Sequence, residues 1–88
     1  MTGHKGLIGS FLLERLKQRG DVSLLLIDKR DGNDIIDIEN FKLNEKADVM
    51  IHLASFCEIN KTVENPDTAF ENNVLGTFKV LEFCRKMR

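Results

Sequence analysis

The sequence predicts an α/β fold, with helices flanking a doubly wound parallel sheet, in a single domain over residues 1–88. Two observations support this prediction. Segments with apolar residues at helical spacing alternate along the chain with short apolar runs typical of buried strands. A glycine-rich turn, Thr2 to Gly9, leads directly into the first helical segment. Parallel neighbouring strands need a crossover connection, and a helix usually supplies it.

The first elements are a helix and a strand. Apolar residues recur at helical spacing between Ser10 and Arg19, and Gly20 is expected to end that helix. The run Leu24 to Ile27 is continuously apolar, as expected of a strand that is covered on both faces of a parallel sheet.

The middle of the chain is less regular. A short extended segment is expected from Asp34 to Ile38, followed by one or two helical turns from Asn40 to Glu45 that carry Phe41 and Leu43. From Asp48 to Ala54, Val49, Ile51 and Leu53 alternate with Met50 and His52, which predicts a second strand.

A loop and a long helix complete the chain. The loop is expected from Ser55 to Lys61, and Asn65 and Pro66 suit the N-cap and the first position of the last helix. The periodicity of that helix predicts an inward-facing stripe of Ala69, Phe70, Val74, Thr77, Leu81 and Cys84.

Composition limits the possible partners. The formal charge is -1, and the basic residues near the C-terminus are expected to lie at the C-terminal end of a helix, where positive charge is favourable. Neither a nucleic-acid nor a membrane partner is therefore expected. Cys57 and Cys84 lie far apart, without histidines at metal-ligand spacing, so no metal site is expected. Reduced cysteines and the lack of a signal segment favour a cytoplasmic protein.

The glycine turn has the features of a phosphate-binding loop. Glycines at positions 3, 6 and 9 immediately precede a helix. Glycine has no side chain to hold a diphosphate away, so backbone amides at the helix N-terminus can approach phosphate oxygens. We therefore expect the turn to bind a dinucleotide, in a partial Rossmann-like domain. A glycine-rich turn without a ligand is the alternative interpretation.

A dinucleotide site also needs an acid for the adenosine ribose, and Asp28 follows the Leu24 to Ile27 strand at a suitable distance from Gly9. Its carboxylate would repel a 2′-phosphate, which favours NAD over NADP. Lys29 and Arg30 follow at once and could instead pair with that phosphate. The alternative role for Asp28 is to cap the turn before Gly32.

These residues resemble the extended short-chain dehydrogenase/reductase family, in its NAD-dependent epimerase/dehydratase group acting on nucleotide sugars. The family's opening TGxxGxxG motif is matched by Thr2 and the three glycines, and its NVxGT motif resembles the segment from Asn73 to Thr77. The resemblance covers essentially the whole chain. It implies NAD as the cofactor and, in the complete enzyme, a nucleotide-sugar substrate.

The resemblance also implies roles for individual residues. Asp28 would bind the ribose, Asp37 and Ile38 would contact adenine, and Asn73 would order the catalytic region. His52, between two apolar strand residues, is expected to be a hydrogen-bonded core residue. The expected cofactor-binding residues are Gly3, Gly6, Leu7, Ile8, Gly9, Asp28, Asp37, Ile38, Leu53, Ala54, Ser55 and Asn73.

The chain departs from the family at two points. The family's catalysis rests on a YxxxK pair, and this chain contains no Tyr, so no catalytic residue is expected in it. The glycine turn should follow a strand, and only Met1 precedes Thr2. The first strand, expected at the centre of the sheet, is therefore apparently missing, and open strand edges are expected to promote self-association.

Three hypotheses remain. The chain could be the cofactor-binding half of a nucleotide-sugar epimerase or dehydratase, a non-catalytic NAD(P)-sensing module, or an inactive fragment. A measurement of NAD binding separates the first two hypotheses from the third.

Overall fold

The computed structural model describes residues 1–42 and 46–87. The helices are α1 (Leu7–Lys17), α2 (Ile59–Glu64), α3 (Pro66–Phe70) and α4 (Gly76–Lys86). A π-helical turn, Glu71–Leu75, joins α3 to α4, and 3₁₀ turns occupy Lys29–Asp31 and Ile35–Asn40. Across the described ranges, no helix has the length and apolar character needed to cross a membrane.

Residues 1–3 lie between two extended segments of the chain. Thr2 forms parallel bridges with Ile27 on one side and with His52 on the other. On the first side, the Ile27 amide donates to the Met1 carbonyl at 2.9 Å. On the second, the Thr2 amide donates to the Ile51 carbonyl at 2.9 Å. The pairing consists of these isolated bridges, so the wider doubly wound sheet stays a prediction.

The core lies between α4 and the second 3₁₀ turn, on one face of the extended segments. Its buried members are Ile27, Ile35, Ile38, Val80 and Phe83. At Gly76, a Cβ atom would lie 2.6 Å from the Cδ1 atom of Ile35, so a larger residue there would require the end of the Ile35 side chain to move. The core therefore fixes α4 against the segment that follows Asp28.

Several predicted boundaries differ from the structure. Helix α1 is confirmed, but it begins at Leu7 and ends with Gln18 as C-cap, so Gly20 does not cap it. The extended segment expected from Asp34 to Ile38 is wrong. The Asp34 carboxylate accepts from the Ile36 amide at 3.1 Å and thereby caps a 3₁₀ turn.

The helical turns expected from Asn40 to Glu45 are not found where the structure can be compared. The 3₁₀ turn ends at Asn40, and Phe41 has extended dihedral angles. Residues 43–45 lie outside the described residues, so the prediction for Leu43 is not tested. The loop expected from Ser55 to Lys61 is shorter than predicted, because α2 begins at Ile59.

The last helix is confirmed from Pro66 onward, although the Asn65 side chain makes no cap hydrogen bond. Its predicted inward stripe is correct in part. Ala69 is buried, Thr77 is half-buried and Cys84 packs against the core, whereas Phe70 and Leu81 are each 64% exposed and Val74 is exposed as well. Val80 and Phe83, which lie outside the predicted stripe, are buried. The buried face also carries Gly76, a residue that apolar periodicity does not select.

Candidate functional site

A cleft of about 440 Å³ lies beside the glycine turn. Four parts of the chain form its walls: the glycine turn, the segment after the first extended run, the segment after the second, and Asn72 of the π-helical turn. The lining residues are Gly3, Gly6, Asp28, Lys29, Arg30, Asp34, Ile35, Leu53, Ala54, Ser55, Phe56 and Asn72. The structure therefore brings together six of the residues expected to bind the cofactor.

The three glycines of the turn have different structural roles. Gly3 has φ 71°, and a Cβ atom there would lie 2.6 Å from the Ala54 amide nitrogen. A Cβ atom on Gly9 would overlap the Gly3 carbonyl. At Gly6 the nearest atom to a Cβ would be 3.4 Å away, an ordinary contact. The fold thus requires Gly3 and Gly9, whereas Gly6 lines the cleft and leaves it room.

The N-terminus of α1 provides free backbone donors next to this turn. Gly6 is the N-cap, and it has no side chain to satisfy the first amides of the helix. The amides of Leu7 and Ile8 have no hydrogen-bond partner among residues 1–42 and 46–87. Both side chains are exposed. Free amides at a helix N-terminus are suited to an anionic group.

Asp28 lies where the first extended segment meets the cleft, and it is only 8% exposed. Its carboxylate accepts from the Lys5 amide at 3.1 Å and from the Arg30 amide at 2.9 Å. The second bond caps the 3₁₀ turn, as the alternative interpretation expected. Each carboxylate oxygen has two acceptor sites, so both oxygens retain capacity for a further donor in the cleft.

A charged network holds the glycine turn to the segment after Asp28. The Lys5 ammonium pairs with Asp31, and the His4 ring nitrogen Nε2 lies 2.9 Å from the same carboxylate. The hydrogen bond from Lys5 lowers the pKa of Asp31 below its ordinary value. The Arg30 guanidinium donates to the Lys5 carbonyl. Lys5 and Arg30 are thus engaged within the protein, and Lys29 lies 3.8 Å from Asp34.

The Thr2 hydroxyl is a junction that sequence reasoning missed. It is completely buried, and it accepts from the amides of Leu53 at 3.1 Å and Ala54 at 3.2 Å. It also lies 2.6 Å from Nδ1 of His52. The signal was the Thr of the TGxxGxxG pattern, which carried no assigned role. This hydroxyl fixes the end of the second extended segment against the turn.

His52 continues the same chain of hydrogen bonds. The Thr77 hydroxyl donates to the Asn73 carbonyl at 2.6 Å, so toward His52 it acts as acceptor for Nε2, which is 3.2 Å away. His52 is therefore the neutral tautomer with its proton on Nε2, and Nδ1 accepts from Thr2. Burial lowers the pKa of His52, in keeping with the neutral form. The expectation of a hydrogen-bonded His52 is confirmed.

Asn73 holds the loop that forms one wall of the cleft. Its side-chain oxygen accepts from the Phe56 amide at 2.6 Å, and its side-chain nitrogen donates to the Phe56 carbonyl at 2.8 Å. Asn73 itself is not among the residues that line the cleft, whereas Asn72 is. Asn73 thus acts on the cleft by positioning Phe56 and, with it, Ser55.

The acid and isoleucine expected at the adenine lie elsewhere. Ile38 is 1% exposed and belongs to the core, and Asp37 lines a separate depression with Asn40. The same two residue types occur three positions earlier, and Asp34 and Ile35 do line the cleft. The repeat in Asp34 to Ile38 made the two pairs indistinguishable by sequence.

A cleft lined by a glycine turn and an acidic residue, next to the N-terminus of a helix, has features that dinucleotide-binding domains share. Leu7, Ile8 and Gly9 do not line the cleft themselves. The chain belongs to the NAD dependent epimerase/dehydratase family, whose profile matches residues 1–88.

Individual relatives agree with this assignment. A putative UDP-glucose 4-epimerase of Methanocaldococcus jannaschii is 32% identical over 98% of this chain and 33% of its own length. UDP-glucose 4-epimerase of Streptococcus mutans is 28% identical over 93% of the chain and 30% of its own length. dTDP-glucose 4,6-dehydratase of Escherichia coli is 25% identical over 98% of the chain and 30% of its own length.

The chain thus spans about a third of the length of these relatives. A comparison with solved structures gave no match.

Proposed function

We propose that this chain is the NAD-binding portion of an epimerase or dehydratase acting on a nucleotide sugar, folded as a partial Rossmann-like domain in the cytoplasm. The observation that carries the proposal is the cleft, which Gly6 and Asp28 line. Gly6 is also the N-cap of α1, so the free amides of that helix begin at the edge of the cleft. The relatives' names supply the substrate class, since they act on UDP-glucose or dTDP-glucose.

The residues present fit the two ends of the adenosine diphosphate. The diphosphate would lie at Gly6 and at the Leu7 and Ile8 amides, which offer hydrogen bonds without a side chain in the way. The adenosine ribose would donate to Asp28. We assign the adenine edge to Asp34 and Ile35 in place of Asp37 and Ile38, because only the first pair lines the cleft.

The nicotinamide half would pass Leu53, Ala54 and Ser55. Asn73 and Thr2 would act here only as positioning residues, by holding the backbone of that wall. The bound cofactor would accept and return a hydride. The chain contains no Tyr, so the family's YxxxK pair is not supplied by these residues, and their own part is to bind and orient the cofactor.

Calorimetric titration with NAD tests the proposal, with Gly6→Ala as the decisive variant. The added methyl group meets no close protein atom, so stability should be little changed. It should nevertheless weaken NAD binding at least about tenfold by holding the diphosphate away from the amides, a loss of about 1.4 kcal/mol. NADP should bind more weakly than NAD, because the Asp28 carboxylate repels a 2′-phosphate.

Gly20→Ala is the matched control, because its Cβ would lie in open space outside the cleft. It should bind NAD as the unaltered chain does. A folded chain without saturable NAD binding would favour the inactive fragment. Equal NAD affinity in the Gly6→Ala variant would show that the cofactor does not lie where we place it.

A further inference from the structure

Three basic residues surround Asp28, the acid that we assign to the adenosine ribose. They are Lys5 of the glycine turn and Lys29 and Arg30 of the first 3₁₀ turn. Lys29 and Arg30 line the cleft, and the Lys5 amide donates to the Asp28 carboxylate at 3.1 Å. A 2′-phosphate on this ribose would therefore meet one repelling carboxylate and several cationic side chains, and the partners of these cations affect which cofactor binds.

All three cations already have partners within the chain. The Arg30 guanidinium donates to the Lys5 carbonyl, and the Lys29 ammonium lies 3.8 Å from the Asp34 carboxylate. The Lys29 side chain is 76% exposed, and an exposed pair at this distance contributes little. The Lys5 ammonium is in closer contact with the Asp31 carboxylate. Of the two lysines, Lys5 is thus the one that an acid holds more firmly.

The 3₁₀ turn Lys29–Asp31 directs Asp31 toward the glycine turn. The Asp31 amide donates to the Asp28 carbonyl at 2.9 Å, and residues three apart in a 3₁₀ turn lie on the same side. Asp28 therefore accepts from the Lys5 amide while Asp31 pairs with the Lys5 ammonium. The second oxygen of Asp31 lies 2.9 Å from Nε2 of the buried His4. These two contacts fix the Asp31 carboxylate beside Lys5.

The pair formed by Lys5 and Asp31 lies outside the cleft itself. Neither residue is among those that line it, so NAD bound there would not depend on either side chain. Both side chains are partly exposed, at 44% for Lys5 and 36% for Asp31. A lysine ammonium on its flexible stem can change partners. Without Asp31, the Lys5 ammonium would be free to turn toward an anion beside Asp28.

We propose that Asp31, together with Asp28, determines which dinucleotide this site accepts. Asp31 holds the Lys5 ammonium and thereby keeps this cation from pairing with the 2′-phosphate of NADP. The inference rests on the proposed NAD-binding function and concerns the choice between NAD and NADP. Asp28 repels the 2′-phosphate directly, whereas Asp31 acts through Lys5 and is a positioning residue.

Calorimetric titration of the Asp31→Asn variant with NAD and with NADP tests this proposal on the 88-residue chain. The substitution keeps the size of the side chain, removes its charge and frees Lys5 for a charge-assisted hydrogen bond to phosphate. We expect the NADP affinity to rise about tenfold and the NAD affinity to change less than about twofold. An unchanged ratio of the two affinities, including an equal fall of both, would overturn the proposal.

Lys5→Met separates the release of Lys5 from the simple loss of a negative charge. Methionine has a similar length and no ammonium, so the gain in NADP affinity should disappear when both substitutions are combined. A gain that persists in the double variant would contradict the role of Lys5. Lys5→Met alone should change the NADP affinity less than about twofold, because the paired ammonium does not reach the 2′-phosphate. A larger loss would overturn the proposal even if Asp31→Asn failed to fold.

Asp21→Asn is the matched control. Asp21 pairs with Arg19 at 2.7 Å, and neither residue lines the cleft. The variant removes the same charge and a similar exposed ion pair, so both cofactor affinities should stay unchanged. A rise in NADP affinity equal to that of Asp31→Asn would assign the effect to net charge and overturn the proposal.

The pairing of Lys5 with Asp31 is also measurable without a nucleotide. The hydrogen bond from Lys5 lowers the pKa of Asp31, so Lys5→Met should raise this pKa toward its ordinary value in an NMR titration. An unchanged Asp31 pKa would show that the two side chains do not pair in solution, and would overturn the inference. The proposed function fails separately: a folded, unaltered chain without saturable NAD binding contradicts it and this inference together, whereas NAD binding with an unchanged affinity ratio contradicts this inference alone.

Discussion

The two ends of the short segment formed by residues 1–3 are built very differently. At its carboxyl end, the hydroxyl and backbone of Thr2 bond to residues 51–54, while the Met1 carbonyl and the Gly3 amide bond to Ile27. Thr2 is completely buried. At its amino end, residues 21–25 and 46–51 of the same two segments border a cavity of about 490 Å³. Val49, in the second of these segments, is 75% exposed.

The difference teaches what buries a parallel strand. Ile27, which pairs with Met1 and Gly3, is 2% exposed, whereas Leu24 and Leu25 in the same segment are only partly buried. Apolar composition is alike in the two places, so the hydrogen-bonded neighbour makes the difference. The expected self-association through open strand edges stays a prediction.

Of the changes near the carboxyl end of residues 1–3, Gly9→Ala should lower the stability most. Its Cβ would overlap the Gly3 carbonyl, and backbone cannot move away as a flexible side chain can. We expect the free energy of unfolding to fall by about 3 kcal/mol or more, measured by urea denaturation. Gly20→Ala, which meets no atom within 4 Å, should change it by less than about 1 kcal/mol. Similar losses in both variants would mean that the turn is not packed as described.

Thr2→Val should have the next largest effect, because valine keeps the shape and removes the hydroxyl. The Ala54 amide would lose its acceptor and Nδ1 of His52 its donor, whereas the Leu53 amide would keep its bond to the Thr2 carbonyl. Leaving buried polar groups unpaired should cost about 2–3 kcal/mol of unfolding free energy. Thr2→Ser retains the hydroxyl and should cost about 1 kcal/mol for the lost methyl group. If the serine variant were the less stable one, packing rather than hydrogen bonding would dominate at Thr2.

The sequence predicted the glycine turn, α1 and the last helix because each is encoded locally. Glycine spacing marks the turn, and Pro66 marks a helix start. The family resemblance also implied that Asp28 and the Leu53 to Ser55 segment would meet at one cofactor site. The cleft brings them together.

Other features depend on contacts that no local pattern records. The 3₁₀ turn after Asp34 replaces an expected extended segment because one side chain caps it. The buried face of α4 carries Gly76, which lies close to Ile35, together with Val80 and Phe83, although exposed positions such as Leu81 are apolar as well. Asp34 and Asp37 present the same local pattern, and only the fold distinguishes which one reaches the cleft.

Acid should lower the stability of the region around Thr2 through protonation of His52. This is the smallest of the three expected effects. Burial lowers the pKa of His52 below its value of 6.5 in the unfolded chain, so the unfolded state binds more protons between these two values. The free energy of unfolding should therefore decrease as the pH falls below about 6.5. Protonation would place a hydrogen on Nδ1, toward a Thr2 oxygen that already accepts from two amides.

The measurement is the urea midpoint at pH 7.5 and at pH 5.5, in the unaltered chain and in His52→Gln. The variant should be less stable at pH 7.5 and should lose less stability between the two values. Carboxylates with lowered pKa, such as Asp31 and Glu82, lose their stabilising charge only below about pH 4.5 and do not enter this window. An equal loss in both chains would show that a group other than His52 causes the acid sensitivity, and that protonation of His52 does not disturb its contact with Thr2.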